Sequence, residues 1–219
     1  MKKQIKVVLL VFTVLTILLM ACGACVNNSP SPSQLPYVEI QQYNGHDLSP
    51  ISDVQDVSIK GPQIVDISTY KLTVNGLVDT PTDFTYDEVL ANTSYTKEVV
   101  LNCVEGWSAD ILWQGVLLSD LFDKVKVQPE ANTVIFYAVD GYTTSLPLQT
   151  IIDKKMILAY KENGVVLIQK DGYPFILVAE DKLGYKWCKW INRIELSSDS
   201  SYRGYWESNG YSNDADVSN

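Results

Sequence analysis

"VVLNCVEGWSADILWQG", residues 99–115, runs an apolar, β-branched stretch into a single cysteine, then a glutamate, a glycine and two tryptophans. Residues 97–104 have the composition of a buried strand, so Cys103 stands at the end of one. Four roles fit a cysteine there. Buried cysteine is a common small core residue. A disulfide with Cys188 is natural, because these are the only two cysteines away from the amino terminus. A nucleophile wants a neighbouring base or cation, and the local sequence offers no histidine. A thiolate also suits a soft or high-valent metal, but one thiolate holds a metal poorly, so the metal would arrive inside a larger cofactor that supplies the other ligands. The residues alone leave all four open.

Outward from this stretch, short strands alternate with short helices. Residues 70–78 alternate around Leu72 and Val74, with Asn75-Gly76 as a turn signal. Thr85 and Glu88 form a capping-box pattern ahead of a short helix. Leu117, Leu118, Leu121, Phe122 and Val125 recur at helical spacing. Residues 134–139 read as a strand, with a turn at Asp140-Gly141, and residues 147–153 as one or two helical turns. Residues 156–167 read as a strand and a turn, 173–180 as a further strand, and 185–197 as an alternating strand that closes the fold. The expected class is α+β, with strand-rich mixed sheets and short inserted helices.

The amino terminus predicts the compartment. A short basic region and an unbroken apolar run precede "LMAC", residues 19–22. Residues 1–21 read as an export signal, and the ending resembles a bacterial lipobox with lipid on Cys22. Residues 22–36 read as a Ser/Pro-rich tether, and 37–219 as one domain able to bury a core. The chain has 17 basic and 26 acidic residues, a net of −9; without residues 1–21 it has 14 basic against 26 acidic, a net of −12. Such a balance argues against nucleic acid, whose binding rests on Lys and Arg neutralising phosphates. The single histidine, His46, sits in a turn-rich context and reads as surface. A multi-histidine metal site is therefore excluded.

Five stretches in order, "CVEGW" with "WQGVLLSDLF", "DGYTTSLPL", "ILAYKENG", "GYKWCKWINRIEL" and "GYWESNGY", resemble the molybdopterin-binding oxidoreductase domain of the sulfite oxidase family. The resemblance is nearest to its bacterial single-domain branch, which includes the catalytic subunit of periplasmic methionine sulfoxide reductase. It covers about residues 70–211 and implies a sulfite-oxidase-like fold. It also implies a molybdopterin-type molybdenum cofactor, or its tungsten counterpart. Cys103 matches the cysteine that ligates the metal, with Asn102, Val104 and Glu105 beside the cofactor. Gly106 would let backbone approach it, and Trp113-x-Gly115 reads as packing. Tyr142, in the loop beside pterin and metal, is the further catalytic candidate. Thr143 and Thr144 would hydrogen-bond the cofactor, and Lys186 and Lys189 match basic positions near its phosphate.

Two departures stand against this. Many relatives carry His-Gly-x-Pro-x-Arg where this chain has Asp171 to Ile176, so an aspartate replaces the histidine and Ile176 the arginine. The leader has Lys-Lys where relatives loaded with a pterin cofactor before export carry Arg-Arg. The expectation is a lipid-anchored, extracytoplasmic monomer on the cell membrane. It would transfer an oxygen atom and two electrons between a small-molecule substrate and an extracytoplasmic redox carrier. The alternative is a cofactor-free descendant acting as a ligand-binding surface lipoprotein.

Overall fold

The computed structural model of the protein describes residues 38–217. The leader, Cys22 and the tether lie outside the described residues. In chain order the elements are β1 (Gln42–Tyr43), β2 (His46–Asp47), β3 (Leu72–Gly76), β4 (Thr82–Phe84), α1 (Tyr86–Leu90), β5 (Ser94–Asn102), β6 (Ser108–Leu117) and α2 (Leu118–Val125). Then come β7 (Thr133–Ala138), β8 (Thr143–Pro147), α3 (Leu148–Asp153), β9 (Ile157–Glu162), β10 (Val165–Val166), β11 (Ile176–Leu177), β12 (Ile191–Ser197) and α4 (Tyr205–Ser208).

Two five-stranded sheets carry the core. One has the order β4-β3-β12-β7-β8. Its central β12 runs parallel to β3 and antiparallel to β7, so Ile194 lies between Val74 and Phe136, all three fully buried. That one parallel pairing makes the sheet mixed, as expected. The other sheet has the order β10-β9-β6-β5, with β11 also paired to β9. α1 is closed by the foreseen capping box: the Thr85 hydroxyl accepts the Glu88 N–H, and the Glu88 carboxylate accepts the Thr85 N–H at 2.8 Å. α2 buries Leu118, Leu121, Phe122 and Val125, the stripe its spacing predicts.

Four sequence readings change. Asn75-Gly76 is no turn; both residues stay in β3, paired with Glu195 and Leu196 of β12. The strand expected over 173–180 shrinks to Ile176–Leu177, because Pro174 has no N–H to give a ladder. The strand expected over 185–197 begins only at Ile191; residues 184–186 form a 3-10 turn, closed by Trp187 N–H on the Gly184 carbonyl at 3.0 Å. β6 has no counterpart in the sequence reading. It is paired on both edges, and its apolar residues run through "ILW" without clean alternation, as a strand buried on both faces does.

Within β6, Trp113 and Gly115 are packing residues, as expected. Trp113 is fully buried, donates Nε1–H to the Val99 carbonyl at 3.1 Å, and tilts against Trp187 with ring centroids 5.5 Å apart. Gly115 is the point of closest approach to β9. A Cβ there would lie 2.2 Å from the Leu158 carbonyl oxygen and 2.6 Å from Ala159 Cα.

Candidate functional site

β5 ends at Asn102, and Cys103 opens a tight loop before β6. The loop is closed by its own backbone: Cys103 N–H donates to the Trp107 carbonyl at 2.9 Å, and Gly106 N–H to the Cys103 carbonyl at 3.1 Å. Gly106 adopts φ +92°, a left-handed conformation that suits glycine. Partial burial pushes the Cys103 thiol up, the Glu105 N–H opposes that, the Glu105 charge adds to it, and the Val104 N–H opposes it. The thiol is therefore neutral at physiological pH unless a cation binds it. The Glu105 charge disfavours the thiolate, which weakens the nucleophile reading.

Among the described residues Cys103 and Cys188 are both free, which overturns the disulfide reading. Cys188 is fully buried between the sheets as a core residue, and burial holds its thiol neutral. Cys103 is half-buried and lines a cleft of about 220 Å³.

The cleft walls come from across the chain. Val104, Glu105 and Trp107 belong to the cysteine loop, Asp140 and Tyr142 to the β7–β8 turn, Asp171 to the stretch before β11, and Ile176 to β11 itself. Tyr185, Trp187, Lys189 and Trp190 precede β12, while Trp206 and Tyr211 come from α4 and the residues after it. Residues 54–59, ahead of β3, also contribute lining. Lys189 is the only cation in the lining, against Glu105, Asp140 and Asp171. Its ammonium is paired with Asp56 at 2.7 Å, donates to the Lys170 carbonyl at 3.1 Å, and sits 4.6 Å over the Trp190 ring. Trp107 Nε1 is buried without an acceptor.

The structure thus brings Cys103, Val104, Glu105, Tyr142 and Lys189 together and separates the rest. Lys186 is the clearest correction. It is fully buried, paired with Glu207, and donates to the Ser145 carbonyl at 3.0 Å and Asn213 Oδ1 at 3.1 Å. Its ammonium is committed to tying α4 to the sheet and is no part of the cleft lining. Thr144 is likewise spent on Glu207, which accepts its hydroxyl at 2.8 Å. Thr143 and Asn102 lie outside the lining, and the Asn102 amide turns back to the Val100 carbonyl at 3.4 Å. Tyr142 lines the cleft, but its hydroxyl donates to the Tyr185 carbonyl, and burial keeps it protonated. That favours a wall residue over a proton-transfer group. His46 is exposed as expected, with Nδ1 3.3 Å from Glu98.

The sequence reading missed Trp187, Trp190, Trp206 and Tyr211. Their clustering was visible as aromatics within polar or lysine-rich stretches, yet nothing local shows that they converge on Cys103.

The family description "Oxidoreductase molybdopterin binding domain" matches residues 59–206. Over 151 residues the chain is 36% identical to "Uncharacterized oxidoreductase YuiH" of Bacillus subtilis (strain 168), covering 68% of this chain and 76% of that protein. It is 34% identical over 147 residues to "Putative protein-methionine-sulfoxide reductase subunit YedZ1" of Azospira oryzae, covering 67% of this chain but only 56% of that one. The sulfane dehydrogenase SoxCD of Paracoccus pantotrophus superposes with a TM-score of 0.62 at 23% identity, over 81% of this chain and 56% of that chain, a likeness of fold. With Cys103 presented at the mouth of an aromatic cleft and the family match spanning both sheets, the chain belongs to the molybdopterin-binding oxidoreductases of the sulfite oxidase family.

Proposed function

We propose that this protein is a membrane-tethered, extracytoplasmic molybdopterin-dependent oxidoreductase that removes an oxygen atom from a small neutral S- or N-oxide. Cys103 is the protein ligand to the metal. The observation that carries this reading is the cysteine loop, closed by Cys103 N–H on the Trp107 carbonyl, which sets half-buried Cys103 in the cleft wall. Such a sulfur is neutral alone and becomes a stabilised thiolate once a metal cation replaces the proton. The residues at this end fit the group: Cys103 supplies the thiolate, Gly106 leaves the loop open with nothing within 4 Å of a Cβ position, and Trp107 Nε1–H has no protein acceptor to satisfy it.

When bound, the cofactor supplies the two-electron, oxygen-transfer chemistry. The protein's own groups do the rest. Trp107, Trp187, Trp190 and Trp206 exclude water and offer flat apolar walls. Lys189, between Asp56 and the Trp190 face, is the cation among the described lining residues that could meet an anionic part of the occupant. Carboxylates at Glu105 and Asp140 make the cleft unfavourable for a sulfite or nitrate anion and compatible with an uncharged oxide. The overall reaction takes two electrons and two protons and releases the reduced compound and one water. The electrons come from an extracytoplasmic redox carrier, and the net acidic chain favours a basic one. Lipid on Cys22 provides the anchor, and the unit works as a monomer.

The cofactor-free reading has one observation in its favour: the Lys189 ammonium is already neutralised by Asp56. The two separate by assay. Protein purified from its own membrane should reduce methionine sulfoxide or a simple dialkyl sulfoxide with an artificial reductant, and the Cys103→Ser variant should not. Sulfite oxidation without sulfoxide reduction would refute the substrate class, and neither activity would favour the binding module. Loss of fatty-acid labelling in Cys22→Ala tests the anchor.

A further inference from the structure

Glu162, the last residue of β9, is fully buried, and Asp171, in the 3-10 turn Gln169–Asp171, is 1% exposed. All four of their carboxyl oxygens lack a hydrogen-bond donor. The nearest cation is Lys170, whose ammonium lies 3.1 Å from Asp171 Oδ1, close enough for charge attraction but outside hydrogen-bonding geometry. Two other charged groups face the pair. Glu39, from the amino-terminal segment, adds negative charge, and Lys189, already engaged by Asp56, adds positive charge.

Two buried carboxylates beside one partly exposed ammonium cannot both stay charged cheaply. A single proton shared between them resolves this, because it turns one orphaned oxygen into a donor and the facing one into its acceptor. Burial and the facing Asp171 push Glu162 up to about 9, and burial raises Asp171 as well. Asp171 also lines the cleft that holds Cys103. The pair therefore sits directly behind the cleft wall, with all four carboxyl oxygens buried.

We propose that Glu162 and Asp171 act as one proton-holding unit in the cleft wall, with Asp171 exchanging the proton with the bound oxide and Glu162 as the positioning residue that retains it. This rests on the oxygen-atom transfer proposed above. Reducing an S- or N-oxide breaks the S–O or N–O bond. It takes two electrons from the redox carrier and two protons, and the oxygen leaves as water. The unit supplies one proton and solvent the other. Both carboxyls are then charged, held by Lys170 and Lys189, until a solvent proton reloads them past the Lys170 side chain, which is 33% exposed.

Infrared spectroscopy of the full chain, in water and deuterium oxide, tests the pair without any cofactor. Exposed carboxyls are ionised at neutral pH, so a protonated-acid carbonyl band persisting there is the signature of a buried acid. It should be present in the wild type and absent in Glu162→Gln, where the amide donates to an ionised Asp171. Should that variant fail to fold, Asp171→Asn is expected to lose the band by the same logic. No band in the wild type, or a band surviving in a folded variant, overturns the pair. In metal-loaded protein, the alkaline limb of the kcat profile for sulfoxide reduction should move to lower pH in Glu162→Gln. A limb that stays in place, with only the plateau scaled, overturns the proton-supply role. The infrared result stands whether or not metal is found, so failure here and failure of the proposed function are told apart.

Discussion

Removing the Lys186 charge, as Lys186→Met, tests how α4 is held against the cleft. Lys186 and Glu207 are both at most 1% exposed, and their ammonium and carboxylate are hydrogen-bonded to each other. Lys186 also satisfies the Ser145 carbonyl and Asn213, and Glu207 takes the Thr144 hydroxyl. Burial lowers the ammonium below the usual lysine range even against the pull of Glu207, so its charge depends on these partners. Methionine preserves most of the volume but leaves Glu207 charged in the interior. Breaking a buried pair from one side costs about 3–5 kcal/mol. For a domain of this size that is a fall in Tm of about 6–20 °C. Lys186→Met/Glu207→Met removes both charges and should recover most of the loss, because an apolar pair of similar volume is often as stable as the ion pair. Thermal and urea unfolding of the two singles and the double close the cycle. A Lys186→Met stability within about 1 kcal/mol of wild type would refute the burial argument. It would leave the Lys186 ammonium free for the cofactor-binding role its sequence context suggested.

Four further outcomes follow from the geometry. Gly115→Ala places a methyl against the β9 backbone, where Leu158 and Ala159 cannot yield without parting the strands; chemical denaturation should show a loss of about 3 kcal/mol. Gly106→Ala meets no neighbour and should cost only the strain of its left-handed backbone, about 1 kcal/mol. Thr85→Ala removes the α1 capping box and should cost about 1 kcal/mol in the same measurement. Glu162 sets a pH dependence with a definite sign. It binds its proton more tightly folded than unfolded, so its stabilisation is whole below the ordinary carboxyl value of 4.5 and is lost as pH rises toward about 9. The Tm of wild type relative to Glu162→Gln should fall steadily across that window; a flat difference would contradict the assignment.

What the sequence made legible was local. The Thr85–Glu88 cap and the α2 stripe depend on residues a few positions apart, and both formed as read. Cys103 stood out because an apolar strand ends beside it. β6 stayed hidden because it is buried on both faces and so lacks the alternation that marks a half-exposed strand. The two lysines show the limit best. Read as one strand, residues 185–197 would put Lys186 and Lys189 on opposite faces, since side chains alternate, yet both were assigned to the cofactor. The 3-10 turn at 184–186 sends Lys186 inward to Glu207, twenty-one residues later in the chain, and leaves Lys189 on the cleft. Nothing in either local sequence carries that distinction. The aromatic cleft has the same cause: its walls come from segments ahead of β3, after β5, after β7, around β11 and on both sides of β12, and only the sheet order brings them together. The buried Glu162–Asp171 pair was visible only in part, as an aspartate where relatives carry histidine.

Metal and pterin content tests the central claim most directly. The protein should be purified from its own membrane, assayed by elemental analysis for molybdenum and tungsten, and oxidised to release its fluorescent pterin. The expected result is close to one metal and one pterin per chain, with the metal lost in a Cys103→Ser variant that still folds. A folded wild-type protein with neither metal nor pterin would contradict the enzyme and leave a cofactor-free binding module built on the same two sheets.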